Sequence, residues 1–341
     1  MPSGFADRPM GMQDGYPDFA KRRRTLESLL VDFFDEAGYE LVSSGAFEYV
    51  DTLLRARPVE IARDWVQLFD GTGNTIALRP EMTPSIARMA APLVAAGKTP
   101  IRWVYAERVY RRTNDPASLS WASGKAAEST QVGIEWIGQA GNATDAAVLA
   151  LCHAATGALG LDETQIVVSH AQFVPALLNG LGATEQDLPH LLDCLTRGDY
   201  VSFRAAMSAT SELDVLSLLQ QLTPYHPDSF KACLAQTGWR NEEAGKQSEV
   251  AWDSLCQLAD ELERGRLTHC VTFDLTLHRD ITYYTGLVFE VFAADVGAPI
   301  AQGGRYDELL QQFGAPAPAI GLAFEVERVL AALHAHTAKT E

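Results

Sequence analysis

The sequence TQVGIEWIG at residues 130–138 alternates between apolar and polar side chains, which is typical of a half-buried β-strand. One face of this strand carries the apolar residues Val132, Ile134 and Trp136. The other face carries Gln131 and Glu135 on either side of Gly133, because successive side chains of a strand point in opposite directions. A strand with an amide and a carboxylate on one face lines a polar site, so this segment predicts both a sheet and a candidate site.

Further strands are predicted before and after this segment, towards both ends of the chain. The segments with strand patterns are 39–47, 101–111, 271–275, 283–292, the region of Ile300 and the first part of 318–333, which then continues as a helix. The middle of the chain is helical and rich in leucine. This distribution predicts an α+β fold with a mainly antiparallel sheet flanked by helices.

The helical middle, residues 172–265, is interpreted as an insertion into one larger unit. It separates a first part of the core, residues 1–171, from a second part, residues 266–341. We found no internal repeat and no low-complexity segment that would suggest a different organisation.

Two helix starts are predicted from proline positions. Pro17 opens a segment with helical apolar spacing, and Gly38 follows that segment as a helix C-cap would. In LRPEMTP, Thr83 is predicted to be the N-cap of a helix whose first position is Pro84.

The 341 residues include 44 acidic and 27 basic side chains, which gives a formal net charge of −17. Residues 1–128 contain 16 basic and 17 acidic side chains (16 − 17 = −1), so residues 129–341 contain the remaining 11 and 27 (11 − 27 = −16). Such acidity disfavours nucleic-acid binding, which depends on Lys and Arg at phosphates, although a well-solvated surface is an alternative explanation. Without a secretory leader or a run of about 20 apolar residues, the sequence predicts a cytoplasmic protein with no membrane segment.

The cysteines and histidines suggest no metal site. The five cysteines are widely spaced and form no CxxC pair, so neither a disulfide framework nor a zinc site is predicted. The eight histidines do not cluster along the sequence. We therefore expect no metal ligands and no cofactor.

Five segments, in order, resemble those of class II aminoacyl-tRNA synthetases, and specifically of histidyl-tRNA synthetase. LRPEMTPSIAR (78–88) is similar to an LRPE-x-T element, and RWVYAERVYRR (102–112) followed by TQVGIEWIG is similar to motif 2. LHRDITYYTGLVFEVF (277–292) and AQGGRYDELL (301–310) resemble two histidine-specific signatures, and PAIGLAFEVERVL (318–330) resembles motif 3. The resemblance implies the antiparallel core of that family.

The resemblance also implies a pocket for histidine. Glu81, Thr83 and Gln131 would accept hydrogen bonds from the α-amino group, since an ammonium group needs acceptors. Glu135 and Tyr284 would meet the imidazole ring. The other two residues assigned to this pocket are Tyr283 and Arg279, the second of which matches an arginine that contacts the carboxylate and phosphate in the synthetase.

Four further residues match positions that approach a phosphate or the ligand. Arg111 and Arg328 match the motif arginines that hold ATP phosphates, a task that suits the bidentate guanidinium group. Gly303 and Gly304 would let the backbone come close to the ligand. Each has an ordinary alternative, as a surface charge for the arginines and as a turn for the glycines.

The chain departs from the synthetase pattern in several places. Motif 2 is expected to read Arg-x-Glu, with the Glu helping to place adenine, but Thr113 stands at that position. The proline position of motif 1 is Gly45, and residues 126–130 lack the usual arginine and aromatic residue. The sequence ends 13 residues after Arg328 (341 − 328 = 13), which predicts that an anticodon-binding domain is absent.

A truncated, acidic relative that keeps a histidine pocket resembles the regulatory subunits of ATP phosphoribosyltransferase. This resemblance implies a non-catalytic protein that activates the short-form catalytic subunit in the first step of histidine biosynthesis. It also implies feedback by L-histidine and a homodimer within a hetero-oligomer, without tRNA. The alternatives are a histidine-activating enzyme or truncated histidyl-tRNA synthetase, and a stand-alone amino-acid-binding or tRNA-related adaptor.

Overall fold

A computed structural model describes residues 8–57, 62, 64–113, 126–208, 210–234, 238–278 and 281–340. Its strands are β1 (Glu40–Leu41), β2 (Phe47–Tyr49), β3 (Gln67–Phe69), β4 (Thr75–Leu78), β5 (Ile101–Tyr110), β6 (Glu128–Ile137), β7 (Gln165–His170), β8 (Val271–Phe273), β9 (Leu287–Phe292), β10 (Ala301–Arg305) and β11 (Ala319–Glu325). Its helices are α1 (Pro17–Glu36), α2 (Val50–Leu54), α3 (Thr83–Ala95), α4 (Asn142–Ala158), α5 (Phe173–Gly180), α6 (Leu188–Thr196), α7 (Tyr200–Ser208), α8 (Val215–Gln221), α9 (Asp228–Leu234), α10 (Glu242–Arg264) and α11 (Val326–Thr340).

Eight strands of the described chain form one sheet in the order β1-β5-β6-β11-β10-β9-β7-β8. The inner pairs are antiparallel, whereas the two edge pairs, β1–β5 and β7–β8, are parallel. A smaller antiparallel sheet has the order β2-β4-β3. The predicted α+β fold with a mainly antiparallel sheet is confirmed.

The strand β6 lies between β5 and β11, and its register positions the polar residues predicted from its sequence. Glu135 pairs with Trp103 on β5 and with Gly321 on β11. Gln131 pairs with Glu325 on β11. Because directly paired residues share a face of the sheet, Gln131, Glu135 and these partners all point to the same side.

The two faces of the main sheet differ in what covers them. On one face, Leu30 and Phe34 of α1 pack with Ile134 and Phe324 in a core that also includes α4, α11 and the end of α10. On the other face, a second cluster combines aromatic side chains of the sheet with α3, among them Tyr105. The candidate site lies on this second, more polar face.

The helices α5 to α10 follow β7 in the chain and have a core of their own. Phe173, Phe230 and Trp252 pack near its centre, with ring centroids 5.2 to 5.8 Å apart. The longest of these helices, α10, spans 23 residues and also contacts α4 and β7. In the described part of the chain, no helix combines the length and apolar character needed to cross a bilayer.

Two predicted strands differ from the observed ones. The strand predicted over 39–47 is divided into β1 and β2, because only Glu40 and Leu41 pair with β5 and the chain then leaves the main sheet. The strand predicted from residue 283 begins only at Leu287, since Tyr283 lies in a turn. This turn is what aims the side chain of Tyr283 at the site described below.

The boundaries of α1 and α3 test the two predicted helix starts. Pro17 begins α1 and Gly38 follows its end with a φ of +88°, so that prediction is confirmed. The prediction that Thr83 caps α3 is wrong, because α3 begins at Thr83 and its N-cap is Met82. The hydroxyl of Thr83, which would accept a backbone hydrogen bond in a helix cap, instead donates a hydrogen bond to Glu135 in the candidate site.

Candidate functional site

A cavity of about 740 Å³ opens on the face of the main sheet that carries Gln131 and Glu135. Its floor is formed by β5, β6, β10 and β11. Its walls are formed by the start of α3, by residues 277–278 and 281–284, and by Arg57, Asp64 and Trp65. This volume is within the range of pockets that hold small ligands.

Glu81 stands on the wall of the cavity, in the turn that leads into α3. Arg57 Nε donates to Glu81 Oε1 at 2.7 Å, and the Tyr283 hydroxyl donates to Oε2 at 2.6 Å. The Arg57 guanidinium also lies 5.4 Å from the centroid of the Tyr283 ring. Burial by itself would raise the pKa of Glu81, but the charge and hydrogen bond of Arg57 outweigh burial and lower that pKa. Glu81 is therefore held as a carboxylate.

Glu135 lies on the floor of the cavity and is almost completely buried. One of its oxygens accepts a hydrogen bond from the Thr83 hydroxyl at 3.0 Å, and the other accepts one from the Tyr306 hydroxyl. Burial raises the pKa of Glu135 from its usual 4.5 to about 7; these hydrogen bonds oppose the rise and the charge of Glu81 adds to it. Near neutral pH, Glu135 is therefore divided between its protonated and ionised forms, whereas Glu81 is ionised.

The space around these carboxyl groups depends on glycines in neighbouring strands. A Cβ atom on Gly321 would lie 2.0 Å from Glu135 Oε2, so only glycine leaves this carboxyl group in place. A Cβ atom on Gly303 would lie 2.2 Å from the Gly321 carbonyl oxygen, and one on Gly304 would lie 2.8 Å from the Tyr284 ring. Gly303 therefore lets the neighbouring strands β10 and β11 lie close together, and Gly304 lets the sheet lie close to Tyr284 in the cavity wall.

Two buried glutamates, Glu325 at the end of β11 and Glu327 on α11, accept hydrogen bonds from residues of β6. Gln131 Nε2 donates to Glu325 Oε1 at 2.8 Å, while the other oxygen of Glu325 is buried without a hydrogen-bond partner among the described residues. Glu327 accepts bonds from the Thr130 amide at 2.9 Å and hydroxyl at 2.8 Å. Glu325 is not among the residues that line the cavity, so it contributes to the site through its hydrogen bond to Gln131.

The two arginines assigned to phosphate binding both line the cavity. Arg111 Nε donates to the Pro80 carbonyl at 3.3 Å, and its charge contributes to the lowered pKa of Glu81. Arg328 donates to the Pro299 carbonyl at 2.7 Å. Their positions at the same cavity bring positive charge close to the acidic floor.

Most of the predicted site residues come together at this cavity. Those that line it are Glu81, Thr83, Arg111, Gln131, Glu135, Tyr283, Tyr284, Gly303, Gly304 and Arg328. Arg279 lies outside the described residues. The sequence analysis did not identify Arg57, Tyr306 or Gly321, although the last two belong to segments that carried the resemblance. Arg57 belongs to no motif and carried no signal that could have identified it.

The raised pKa of Glu135 predicts a pH dependence of stability. Because the folded protein holds this proton more tightly than the unfolded chain, the contribution of Glu135 is fully present below pH 4.5 and is lost as the pH rises through 7. We expect the free energy of unfolding to fall by as much as about 1.4 kcal/mol per pH unit in this range, relative to Glu135→Gln. Urea unfolding between pH 5 and pH 8 measures the difference. Glu128→Gln, on the same strand but outside the cavity, is the control; parallel profiles of wild type and Glu135→Gln would contradict the prediction.

Comparison with known proteins identifies relatives of two kinds. A family model described as histidyl-tRNA synthetase matches residues 11–329. The ATP phosphoribosyltransferase regulatory subunit of Geobacillus sp. (strain WCH70) is 33% identical over 96% of this chain and 81% of that protein. The regulatory subunit of Bacillus subtilis is 32% identical, with the same coverage of both chains.

Solved structures show the same two kinds of relative. A histidine–tRNA ligase subunit from Alicyclobacillus acidocaldarius superposes with a TM-score of 0.89 at 55% identity, over 99% of this chain and 100% of that one. A Bacillus halodurans protein described as an ATP phosphoribosyltransferase regulatory subunit/histidyl-tRNA synthetase has a TM-score of 0.80 at 28% identity, over 97% and 84% of the two chains. Together they show the same fold at very different levels of sequence identity.

Proposed function

Because the chain belongs to the histidyl-tRNA synthetase-like family that includes the regulatory subunits of ATP phosphoribosyltransferase, we propose that it senses L-histidine through the cavity on its main sheet. The chain has a regulatory role in histidine biosynthesis and is not itself the catalytic subunit, as the names of its curated relatives state for them. In the proposal it activates a short-form catalytic subunit, as a homodimer within a cytoplasmic hetero-oligomer, and acts without tRNA.

The observation that carries this proposal is the difference between the two carboxyl groups of the cavity. The ionised Glu81 suits the α-ammonium group of histidine, with Thr83 and Gln131 beside it. Glu135 has a pKa of about 7, close to that of an imidazole, so it can accept a hydrogen bond from a ring N–H or pair with the protonated ring. In this arrangement Tyr284 lies beside the imidazole.

Feedback requires that histidine bind two states of the assembly with different affinity. A coupling free energy of about 1–3 kcal/mol changes an affinity by roughly 5- to 150-fold, which is enough for control by the end product. The cavity offers a structural basis for this coupling, because its floor belongs to the central strands and its walls come from separate segments of the chain. Occupation by a ligand would tie these segments together.

The proposal is tested by mixing the chain with the short-form catalytic subunit of its own organism and following phosphoribosyl-ATP formation. We expect stimulation by the chain, and inhibition of the stimulated rate by L-histidine. Activity of the catalytic subunit that is the same with and without the chain would overturn the regulatory role. Stimulation without a response to histidine would overturn the sensing role alone.

Variants of the cavity connect that response to the site. Glu135→Gln and Tyr284→Phe are each expected to weaken histidine binding by about 10- to 100-fold, since the first replaces a carboxylate oxygen by an amide donor and removes its charge, and the second removes a hydroxyl group. Isothermal titration calorimetry measures the affinity, and the mixed assay measures the loss of inhibition. Glu128→Gln is expected to behave as the wild type. Unchanged histidine sensitivity in both cavity variants would show that histidine acts elsewhere.

A second candidate function is histidine activation with ATP, which is favoured by the 55% identity to a histidine–tRNA ligase subunit. Arg111 and Arg328 at the cavity fit a phosphate-bearing ligand. Thr113, where the synthetase pattern has the adenine-placing glutamate, counts against it. Histidine-dependent exchange of pyrophosphate into ATP distinguishes the two functions, and we expect no exchange above the background.

A further inference from the structure

Two histidines and a cysteine that are distant in the sequence meet beside the edge of the main sheet, and none of them lines the cavity. His153 lies on α4, whereas His269 and Cys270 lie in the connection between α10 and β8. One ligand-capable atom of each residue lies within 4.8 Å of those of the other two. The two histidines are far apart in the sequence, but their ring centroids are 5.4 Å apart in the folded chain.

His153 has an unsatisfied nitrogen at this place. Its Nδ1 atom is buried and makes no hydrogen bond within the described part of the chain. Leaving a buried polar atom without a partner is unfavourable by about 1–3 kcal/mol, so such an atom needs an explanation. A lone pair directed at a metal ion would satisfy it.

His269 is oriented as a metal-binding histidine usually is. Its Nδ1 atom lies 3.0 Å from the carbonyl oxygen of Arg266. Because a carbonyl oxygen only accepts, Nδ1 carries the hydrogen atom, which leaves the lone pair of the neutral ring on Nε2. A backbone carbonyl that binds one ring nitrogen and so presents the other is the common support of a histidine ligand. Arg266 itself has a φ of +57°, in the left-handed region, where the chain turns out of α10.

We propose that His153, His269 and Cys270 bind one transition-metal ion of the zinc class, with a fourth position open to water. The Cys270 thiol donates a hydrogen bond to the Leu267 carbonyl at 3.2 Å, and metal binding would release this proton to solvent. The resulting thiolate sulfur and two imidazole nitrogens are ligands that zinc accepts in tetrahedral sites. Bonds of 2.0 to 2.3 Å place tetrahedral ligand atoms about 3.3–3.7 Å apart, so the three groups need to move together by roughly 1 Å. The side chain of His269 is exposed, and this exposure provides the entry path for the ion.

The proposed ion would join α4 to the connection between α10 and β8. This connection leads from the helical segment 172–265 back into the main sheet. Metal binding at this junction stabilises the folded chain, because the unfolded chain does not hold the three ligands together. We therefore expect zinc at 100 times its dissociation constant to raise the Tm of the full chain by about 5 °C.

Titration of the metal-free full chain with Co²⁺ tests the proposal, since Co²⁺ replaces Zn²⁺ and is visible by absorbance. We expect one ion per chain, a thiolate-to-cobalt charge-transfer band and the visible bands of a tetrahedral ion, all removed by Zn²⁺. Cys270→Ser is expected to remove the charge-transfer band. His269→Asn is expected to weaken binding by at least about tenfold. A wild-type chain that binds Co²⁺ without a charge-transfer band would overturn the proposal.

Two control variants separate this site from nonspecific binding. Cys152→Ala removes the thiol next to His153 in the sequence, which does not belong to the group of three, and is expected to keep the spectrum. His190→Asn alters the histidine whose Nε2 lies 3.9 Å from the sulfur of Cys194, and is likewise expected to keep it. If Cys270→Ser does not fold, the His269→Asn variant decides alone, because His269 is exposed and its replacement leaves the fold intact. An unchanged Co²⁺ affinity in His269→Asn would exclude the site.

Discussion

Replacing Glu81 with alanine is expected to lower the free energy of unfolding by about 3–5 kcal/mol, because it breaks an ion pair that is largely withdrawn from solvent. The side chains of Arg57 and Glu81 are only 13% and 14% exposed. The variant leaves the Arg57 guanidinium without this carboxylate and removes the acceptor of the Tyr283 hydroxyl. Urea unfolding at pH 7 measures the loss, and calorimetry is expected to show that histidine binding has also disappeared.

Two comparisons establish that the ion pair causes this loss. Replacing Arg57 and Glu81 together with leucine removes both charges, and is expected to recover at least half of the stability that Glu81→Ala loses. The pKa of Glu81 is lowered in the folded protein, so its contribution is present at neutral pH and lost as the pH falls through the acid range. The penalty of Glu81→Ala must therefore shrink in acid, and a penalty under about 1 kcal/mol at pH 7 would contradict the prediction.

Replacing Gly303 with alanine is expected to lower the free energy of unfolding by about 3 kcal/mol or more. Gly303 lies on β10 between Phe289 of β9 and Leu322 of β11. The added Cβ atom would stand 2.2 Å from the Gly321 carbonyl oxygen and 2.5 Å from the Phe289 ring. Backbone cannot rotate away as a flexible side chain can, so β10 and β11 must separate under the cavity. Thermal and urea unfolding measure the loss.

Gly297→Ala is the matched control for Gly303→Ala. Gly297 precedes the same strand, and a Cβ atom there would have no atom within 4 Å among the described residues. We expect this variant to remain within about 0.5 kcal/mol of the wild type. Equal stability of the two variants would mean that the sheet adjusts to the Cβ atom at Gly303.

The central strands and part of the site could be predicted because their signals are local. The alternation in β6 put Gln131 and Glu135 on one face, and the structure places both on the floor of the cavity. Family resemblance added Glu81 and Tyr283 from other segments, and the structure joins these two directly by a hydrogen bond. Short-range periodicity therefore identified the floor, and sequence motifs identified the wall.

The remaining features depend on contacts between distant segments. Tyr306 reaches Glu135 because β11 and β10 follow β6 in the sheet, an order that chain position does not reveal. Local propensity favoured Thr83 as a helix cap, but a buried carboxyl group required its hydroxyl. His153 and His269 meet only because α4 and α10 pack against each other near β7 and β8.

The carboxyl groups of the cavity are held by partners within the chain, and this has a consequence for how the protein evolves. Glu81 has Arg57 and Tyr283, while Glu135 has Thr83 and Tyr306. Selection for a folded chain alone therefore preserves Glu81, whose ion pair stabilises the protein at neutral pH, even in a lineage that no longer responds to histidine. In a mutational scan scored by cellular abundance, position 81 would be as intolerant of substitution as in a scan scored by feedback.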